Sequence, residues 1–264
     1  MEQEILLFAE EAARGAGRIL LSGFRSADTV VSYKSSTDLV TNMDRASEEF
    51  LFNSIREKYP DHTIIAEEGS RSSAAGDFTW YIDPLDGTNN YAHGIAQFSV
   101  SIGIYSQSAG AVTAGIVYDP FHDEMFSANR GDGAFMNGVK ISVSRNNDIG
   151  VSILATGFPY DKASNPNNNL KEFARIVPKI QGIRRMGSAA LDLAGVACGR
   201  FDGYWEAGVK PWDTAAGSLL VGEGGGKVTK YRGGKYDPVV PEILATNGLI
   251  HESMIELLSG NSFM

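Results

Sequence analysis

The sequence predicts a mixed α/β (α+β) chain in which helices and sheets stack in alternating layers. Three observations predict it. Two amphipathic helical stretches open the chain, at 3–24 and 44–59. A series of β-rich segments with turn glycines between them follows, from 98 to 144. Strand and helix patterns then alternate to the C-terminal end.

Residues 3–24 place Ile5, Phe8, Ala9, Ala12, Ala16, Ile19 and Leu20 at helical spacing and end near Gly23. Ser32 to Asp38 reads as a polar loop. The second helix, 44–59, sets Phe50, Leu51, Ile55 and Tyr59 on one side, with Pro60-Asp61 as its stop. Thr63–Ala66 is a short strand that leads into Glu67-Glu68-Gly69, and a Ser/Ala/Gly loop separates it from a strand at 79–83. Phe98–Tyr105 and Ala111–Tyr118 are strands joined through Ser106–Gly110. Further strands fall at 124–128 and 140–144, with Gly131, Gly133 and Gly138 at turns. Ser152–Ala155 is a strand, and Asn165-Pro166 opens a helix to about Pro178. Strand 182–186 leads into a helix at 188–198 closed by Gly199. Strand 201–206 precedes a helix whose N-cap reads as Asp213. Strands at 227–231 and 242–246 and a helix at 251–258 complete the pattern. With no linker, repeat or low-complexity run, a single domain over 1–264 is expected. Its N-terminal half holds the helix pair and an antiparallel sheet, its C-terminal half a second sheet with helices.

Composition narrows the function. Hydrophobic residues make up 43% and charged residues 21%, ordinary values for a globular protein. The net charge of −9 argues against a nucleic-acid face, and the densest basic cluster is only Arg184-Arg185. A lone cysteine, Cys198, permits no disulfide within the chain and fits a reducing cytoplasm. Met1-Glu2-Gln3-Glu4 is acidic and lacks the basic start of a signal peptide. No apolar run approaches the ~18 residues of a membrane span. A cytoplasmic location without membrane attachment is therefore expected.

The most informative segment is Trp80-Tyr-Ile-Asp83-Pro84-Leu85-Asp86-Gly87-Thr88-Asn-Asn-Tyr-Ala-His93. Trp80 to Ile82 read as the end of a buried strand, and Pro84, with no N–H to give, stops regular pairing. Asp83 and Asp86 then fall three apart on a tight turn. Two carboxylates that close repel unless a cation lies between them, and hard divalent ions with oxygen ligands, Mg²⁺ first, suit the pair. The amides of Gly87 and Thr88 could open a helix and offer an anion site. Phosphatases with an aspartyl nucleophile carry Asp-x-Asp-Gly-Thr instead, with the aspartates two apart. Taken alone, Asp-Pro and Asp-Gly also fit a plain turn.

Other acidic positions share this strand-end or helix-start context: Asp38, Asp44, Glu67, Glu68 and Asp213. Together with the 80–93 segment they resemble the inositol monophosphatase family, in its bacterial SuhB-like branch. Lys34-Ser-Ser-Thr-Asp38-Leu-Val-Thr41 with Asp44 matches the family's N-terminal loop, and Glu67-Glu68-Gly69 its Glu-Glu element. Trp80–His93 matches its first signature; Trp212-Asp213-Thr-Ala-Ala-Gly through Gly224-Gly225-Gly226 matches its second. Gly187-Ser188-Ala189-Ala190 and Asp202-Gly203-Tyr204-Trp205-Glu206 fill its substrate segments. Thr156-Gly-Phe-Pro-Tyr160 and the Arg184-Arg185 run carry the bacterial character.

This resemblance implies an α-β-α-β-α layered sandwich of the inositol monophosphatase and fructose-1,6-bisphosphatase type. It implies a Mg²⁺-dependent phosphatase with two to three metals per site, sensitive to lithium and dimeric. Glu67, Asp83 and the carbonyl of Leu85 would hold one Mg²⁺. Asp83, Asp86 and Asp213 would hold a second, and Glu67 with waters a third. Glu67 and Thr88 would orient and deprotonate the attacking water, with Asp44 in support. Gly87 and Thr88 amides would hold the phosphate. Glu206, Asp86, Asp213 and the Gly187–Ser188–Ala189 backbone would bind the alcohol, expected to be a polyol since carboxylates accept several hydroxyl donors. Lys34 and Asp38 would sit on a mobile loop. Fructose 1,6-bisphosphate, 3′-phosphoadenosine 5′-phosphate, NADP and histidinol phosphate are alternative esters within the same chemistry, and partner binding in transcription complexes is an alternative role. The four histidines share no metal-ligand spacing and receive no role.

Overall fold

The structure, a computed structural model, describes residues 2–35 and 37–260. The outer layer is a helix pair. In α1 (Glu2–Gly23), Ile5, Ala9, Ala13, Ala16 and Leu20 form one buried stripe. The polar loop expected at Ser32 to Asp38 is flanked by a small antiparallel strand pair, β1 (Val31–Tyr33) with β2 (Leu39–Thr41), so that Ser32 and Tyr33 belong to a strand. Its first strand is wholly exposed, so no alternation of burial marked it. Next, α2 (Asn42–Lys58) begins on a capping box between Thr41 and Asp44.

The main sheet has eight strands. After β3 (Thr63–Ala66) and the two-residue β4 (Arg71–Ser72) comes β5 (Phe78–Asp86), which leads into the short α3 (Thr88–Ala92). The meander continues through β6 (Ser99–Ser106), β7 (Ala111–Asp119), β8 (Glu124–Asn129), β9 (Gly133–Met136) and β10 (Val139–Ile141). The order across the sheet is β10-β9-β8-β7-β6-β5-β3-β4, with β3 parallel to β5 and the other pairs antiparallel. The expected strand at 140–144 is really the second arm of a hairpin, turned at Asn137-Gly138 with both φ positive. β9 begins on a glycine, which hid it behind a turn signal.

The second sheet has five strands in the order β12-β11-β13-β15-β14. Its elements are β11 (Ile153–Thr156), α4 (Leu170–Ile176), β12 (Gly182–Arg184), α5 (Ala189–Ala197), β13 (Gly203–Ala207), α6 (Pro211–Glu223), β14 (Lys227–Thr229), β15 (Glu242–Thr246) and α7 (His251–Ser259). α4 starts at Leu170, not at Asn165-Pro166, because 161–168 is spent on side-chain-bonded turns. α6 also starts earlier than expected. Pro211 takes its first turn, Lys210 is the N-cap, and Asp213 lies in that first turn instead of capping it.

The helices lie between and outside the sheets. One core joins α1 and α2 to one face of the main sheet through Leu20, Leu51, Ile55, Trp80, Ile82 and Ile102. A second core places α5 and α6 between the two sheets, around Phe126, Leu193, Tyr204, Ala216, Leu220 and Ile243. A third packs α4 and α7 on the outer face of the second sheet, around Ile176, Trp205, Leu244 and Met254. The expected α-β-α-β-α sandwich is the result.

β5 differs from expectation in a way that matters. Pro84 does not end the strand; pairing to β6 resumes at Asp86, with Asp83 opposite Ser101 and Asp86 opposite Ser99. Three steps along β5 match two along β6, so one extra residue bulges out at Pro84-Leu85. Proline fits there because no ladder bond is asked of it.

Candidate active site

That bulge sets the first two carboxylates. Residues three apart on a regular strand point to opposite faces, and the extra residue returns Asp86 to the side of Asp83. The Asp83 carboxylate accepts from the Leu85 N–H at 3.0 Å. Asp86 is capped across the sheets by the start of α5: the Ser188 hydroxyl donates at 2.5 Å and the Ala190 N–H at 2.8 Å. Gly87 then turns with φ 96°. A Cβ there would lie 2.9 Å from the Gln97 carbonyl oxygen, so only glycine fits.

Glu67 stands where β3 ends. Its loop is held from below by Glu48 of α2, whose carboxylate accepts the N–H groups of Glu68 at 2.7 Å and Ser70 at 2.8 Å. From above, the Lys34 ammonium donates to Glu67 at 3.1 Å and Glu68 at 2.5 Å. Burial opposes charge on Lys34, but the two carboxylates outweigh it and raise its pKa. The Thr37 hydroxyl, on the same loop, donates to the Tyr160 carbonyl at 2.9 Å and so bridges to the 157–160 loop.

Thr88 and Asp44 form a buried pair. The Thr88 hydroxyl lies 2.9 Å from Asp44 Oδ1 and 3.0 Å from the Leu85 carbonyl, two acceptors for one proton. The other Asp44 oxygen accepts from the Thr41 hydroxyl at 2.5 Å and the Thr41 N–H at 2.8 Å. Asp44 therefore caps a helix and holds Thr88 at once.

The remaining groups come from the second half of the chain. Asp213, in the first turn of α6, accepts from the Lys210 N–H at 2.7 Å. Glu206, at the end of β13, accepts from the Tyr204 hydroxyl. A Cβ on Gly157 would meet the Glu206 carboxylate at 2.1 Å, so this glycine makes room for it. Glu67, Asp83, Asp86, Thr88, Glu206 and Asp213 line one cleft of about 310 Å³, together with Lys34, Asp38, Leu85, Gly87, Gly187, Ser188 and Ala189, while Asp44 is buried behind Thr88 and does not reach the cleft surface.

Charge in the cleft is unbalanced. Burial first, then Glu67, Asp86 and Asp213, push the Asp83 carboxyl well above its usual range. Burial and Glu67 do the same for Asp213. Burial raises Glu67 to about 7 against the pull of Lys34. Asp86 also ends above the carboxylate norm, burial outweighing the Ser188 and amide hydrogen bonds. Four buried carboxyl groups, two of them, Asp83 and Asp213, raised further by their neighbours, call for protons or cations.

The model of the inositol monophosphatase family matches residues 1–262. The chain belongs to the inositol monophosphatase family. It is 43% identical to an inositol-1-monophosphatase of Synechocystis sp. over 258 residues, 97% of this chain and 89% of that one. It is 41% identical to Nus factor SuhB of Escherichia coli K12 over 253 residues, 95% and 94% of the two chains. Among solved structures, the inositol monophosphatase of Anabaena (Nostoc) sp. PCC 7120 superposes with a TM-score of 0.88 at 44% identity, covering 98% and 96%.

Family membership raises the question of Mg²⁺. Among the described residues, no three acidic or imidazole groups stand together at ready metal-binding spacing. The donor chemistry nevertheless fits a hard cation. Glu67 raises the buried Asp83 carboxyl, so charge on both is eased by a proton or a positive ion between them. Asp213 and Asp86 face the same space, and every group offered is oxygen.

The histidines lie elsewhere. His62 accepts from the Trp80 indole at 2.9 Å, His122 meets Asp119 at 2.8 Å, and His251 bridges the hydroxyls of Thr229 and Thr246. His93 caps the end of α3. The Arg184-Arg185 pair splits: Arg184 bonds the carbonyl of Ile183, while Arg185 joins the cleft wall. Sequence reasoning missed Glu48, which looks like any polar position on an amphipathic helix. It also gave no role to Thr41, Tyr204 or Asp192, although Tyr204 sits inside a motif already singled out.

Proposed function

We propose that this chain is a Mg²⁺-dependent phosphomonoesterase that hydrolyses inositol 1-phosphate or a related inositol monophosphate. The observation that carries it is one cleft in which Glu67, Asp83, Asp86 and Asp213 face each other beside the Thr88–Asp44 pair and the Glu206 carboxyl. Glu67, Asp83, Asp86, Asp213 and the Leu85 carbonyl are the groups that would hold two Mg²⁺ ions, with a weaker third at Glu67. Bound Mg²⁺ would supply Lewis-acid polarisation of the phosphoryl group, a lowered pKa for water, and charge stabilisation at the leaving oxygen.

The protein's own residues do the rest. Thr88 donates a hydrogen bond to Asp44, which leaves a hydroxyl lone pair to accept a hydrogen bond from the attacking water and orient it. Glu67, facing the same cleft, is the carboxylate that would take a proton from that water. The amides of Gly87 and Thr88 present N–H groups to the phosphate. Glu206 and the Gly187–Ala189 segment read the alcohol, whose hydroxyls suit a carboxylate acceptor. No covalent intermediate is needed.

The test is a phosphate-release panel with Mg²⁺ over inositol 1-phosphate, fructose 1,6-bisphosphate, 3′-phosphoadenosine 5′-phosphate, NADP, histidinol phosphate and p-nitrophenyl phosphate. Inositol 1-phosphate should give the highest kcat/KM; a clear preference for another ester would replace the substrate and keep the chemistry. We also infer a cytoplasmic homodimer, which light scattering would check.

A second reading is favoured by the several relatives named Nus factor SuhB at 41–45% identity. In it the chain binds a partner in transcription. Capture of transcription factors by the inactive Asp213→Asn variant would support that role independently of turnover.

A further inference from the structure

Asp192 lines the same cleft and has no part in the mechanism above. It lies in α5, whose sequence Ala-Ala-Leu-Asp-Leu-Ala-Gly-Val-Ala is otherwise apolar or glycine. The residue is 2% exposed. Its Oδ1 is buried and has no hydrogen-bond partner among the described residues. Around it stand Glu206 and Asp86, which oppose a charge, and Arg185, which favours one. Among the described residues, no side chain bonds it as Ser188 bonds Asp86 or Tyr204 bonds Glu206.

An unpartnered acid in a helix of small apolar residues is costly to fold, since a buried polar group without a partner loses its water for nothing. Leucine or alanine would suit the packing better. The cost is recovered if a ligand supplies the missing partner. Asp192 shares the cleft with Glu206, and rotation about its terminal torsion presents either oxygen to that space. Resting on the phosphatase reading, we propose that Asp192 is a second arm of the alcohol subsite. It exchanges a hydrogen bond with a hydroxyl of the polyol other than the one read by Glu206. The substrate class is then a phosphate ester whose alcohol carries at least two hydroxyls within reach of one wall. Burial and the neighbouring acids raise the Asp192 carboxyl well above its usual range, so it can donate as well as accept.

The experiment compares Asp192→Leu and Asp192→Asn with wild type, in Mg²⁺, on inositol 1-phosphate and p-nitrophenyl phosphate. The readout is the ratio of kcat/KM for the two esters. Asp192→Leu should lower that ratio by roughly 10- to 100-fold, the usual worth of a hydrogen bond to such a group. The loss should lie mainly in KM for inositol 1-phosphate. Asp192→Asn, which keeps a donor and an acceptor, should restore most of it. Thermal unfolding of the metal-free Leu variant should occur at or above the wild-type temperature. An unchanged ratio overturns the proposal. So does an equal loss on both esters with a lowered unfolding temperature, which would make Asp192 a packing residue. Should leucine not fit, Asp192→Ala reads the same ratio. A wild-type enzyme that releases phosphate from neither ester is the distinct failure of the phosphatase reading, and ends this proposal with it.

Discussion

Glu206→Gln should stabilise the metal-free protein, and only at high pH. Burial raises the Glu206 carboxyl from 4.5 to about 7, with Asp86 adding to the shift and the Tyr204 hydroxyl and Arg185 opposing it. The folded state therefore holds a proton that the unfolded state releases. With a folded pKa above the unfolded one, the group's stability is full below pH 4.5 and is lost as pH rises through about 7. At ~1.36 kcal/mol per unit, the loss at pH 8 is about 3 kcal/mol. Glutamine removes the charge and keeps an acceptor for the Tyr204 hydroxyl. The variant should unfold roughly 6–12 °C above wild type at pH 8 in chelator, from about 2–4 °C per kcal/mol in a chain of this size. At pH 5 the two should differ by less than about 1 kcal/mol, since the wild-type carboxyl is already protonated. Calorimetric unfolding from pH 5 to 9 measures this. A difference that does not change with pH, or a less stable variant at pH 8, would refute a burdened carboxyl at this position.

Four further outcomes are expected. Asp86→Asn and Asp213→Asn should each abolish Mg²⁺-dependent phosphate release while the metal-free fold holds or gains stability, because each removes a charge from a crowded site; near-wild-type turnover would count against two metals. Thr88→Ala should lower kcat by roughly 10²–10⁴ with a modest change in KM, measured at saturating Mg²⁺. Glu48→Gln keeps one acceptor where two backbone N–H groups are held, and should raise the Mg²⁺ concentration for half-activation by roughly 10-fold or more. Li⁺, close to Mg²⁺ in size with half its charge, should inhibit uncompetitively by exchanging at the Asp86–Asp213 pair, and purely competitive kinetics would contradict that.

Much of the fold was legible because its long elements carry strong periodicity. The stripe of α1 and the apolar runs of β6 and β7 could be read directly. The hairpins β1–β2 and β9–β10 were lost or misplaced, since strands of three or four residues give too few alternations to count. Asp213 was misread as an N-cap because Lys210, the true cap, has no capping side chain by type. The acidic residues of the site were legible through their motifs. Their supports were not: Glu48 acts on backbone amides twenty residues away, and Asp192 is notable only for lacking a partner. Such roles belong to distances that no local pattern encodes.

The extra residue in β5 has an evolutionary consequence. Whether Asp86 shares a face with Asp83 depends on the parity of the residues between them, not on their identity. A point substitution at Pro84 or Leu85 leaves that parity alone. Losing or gaining one codon there would invert it and turn Asp86 toward the α1–α2 layer. The paired carboxylates therefore form a character that arises or vanishes through insertion and deletion. In descendants the length of this segment should be held at least as tightly as the buried Leu85 side chain.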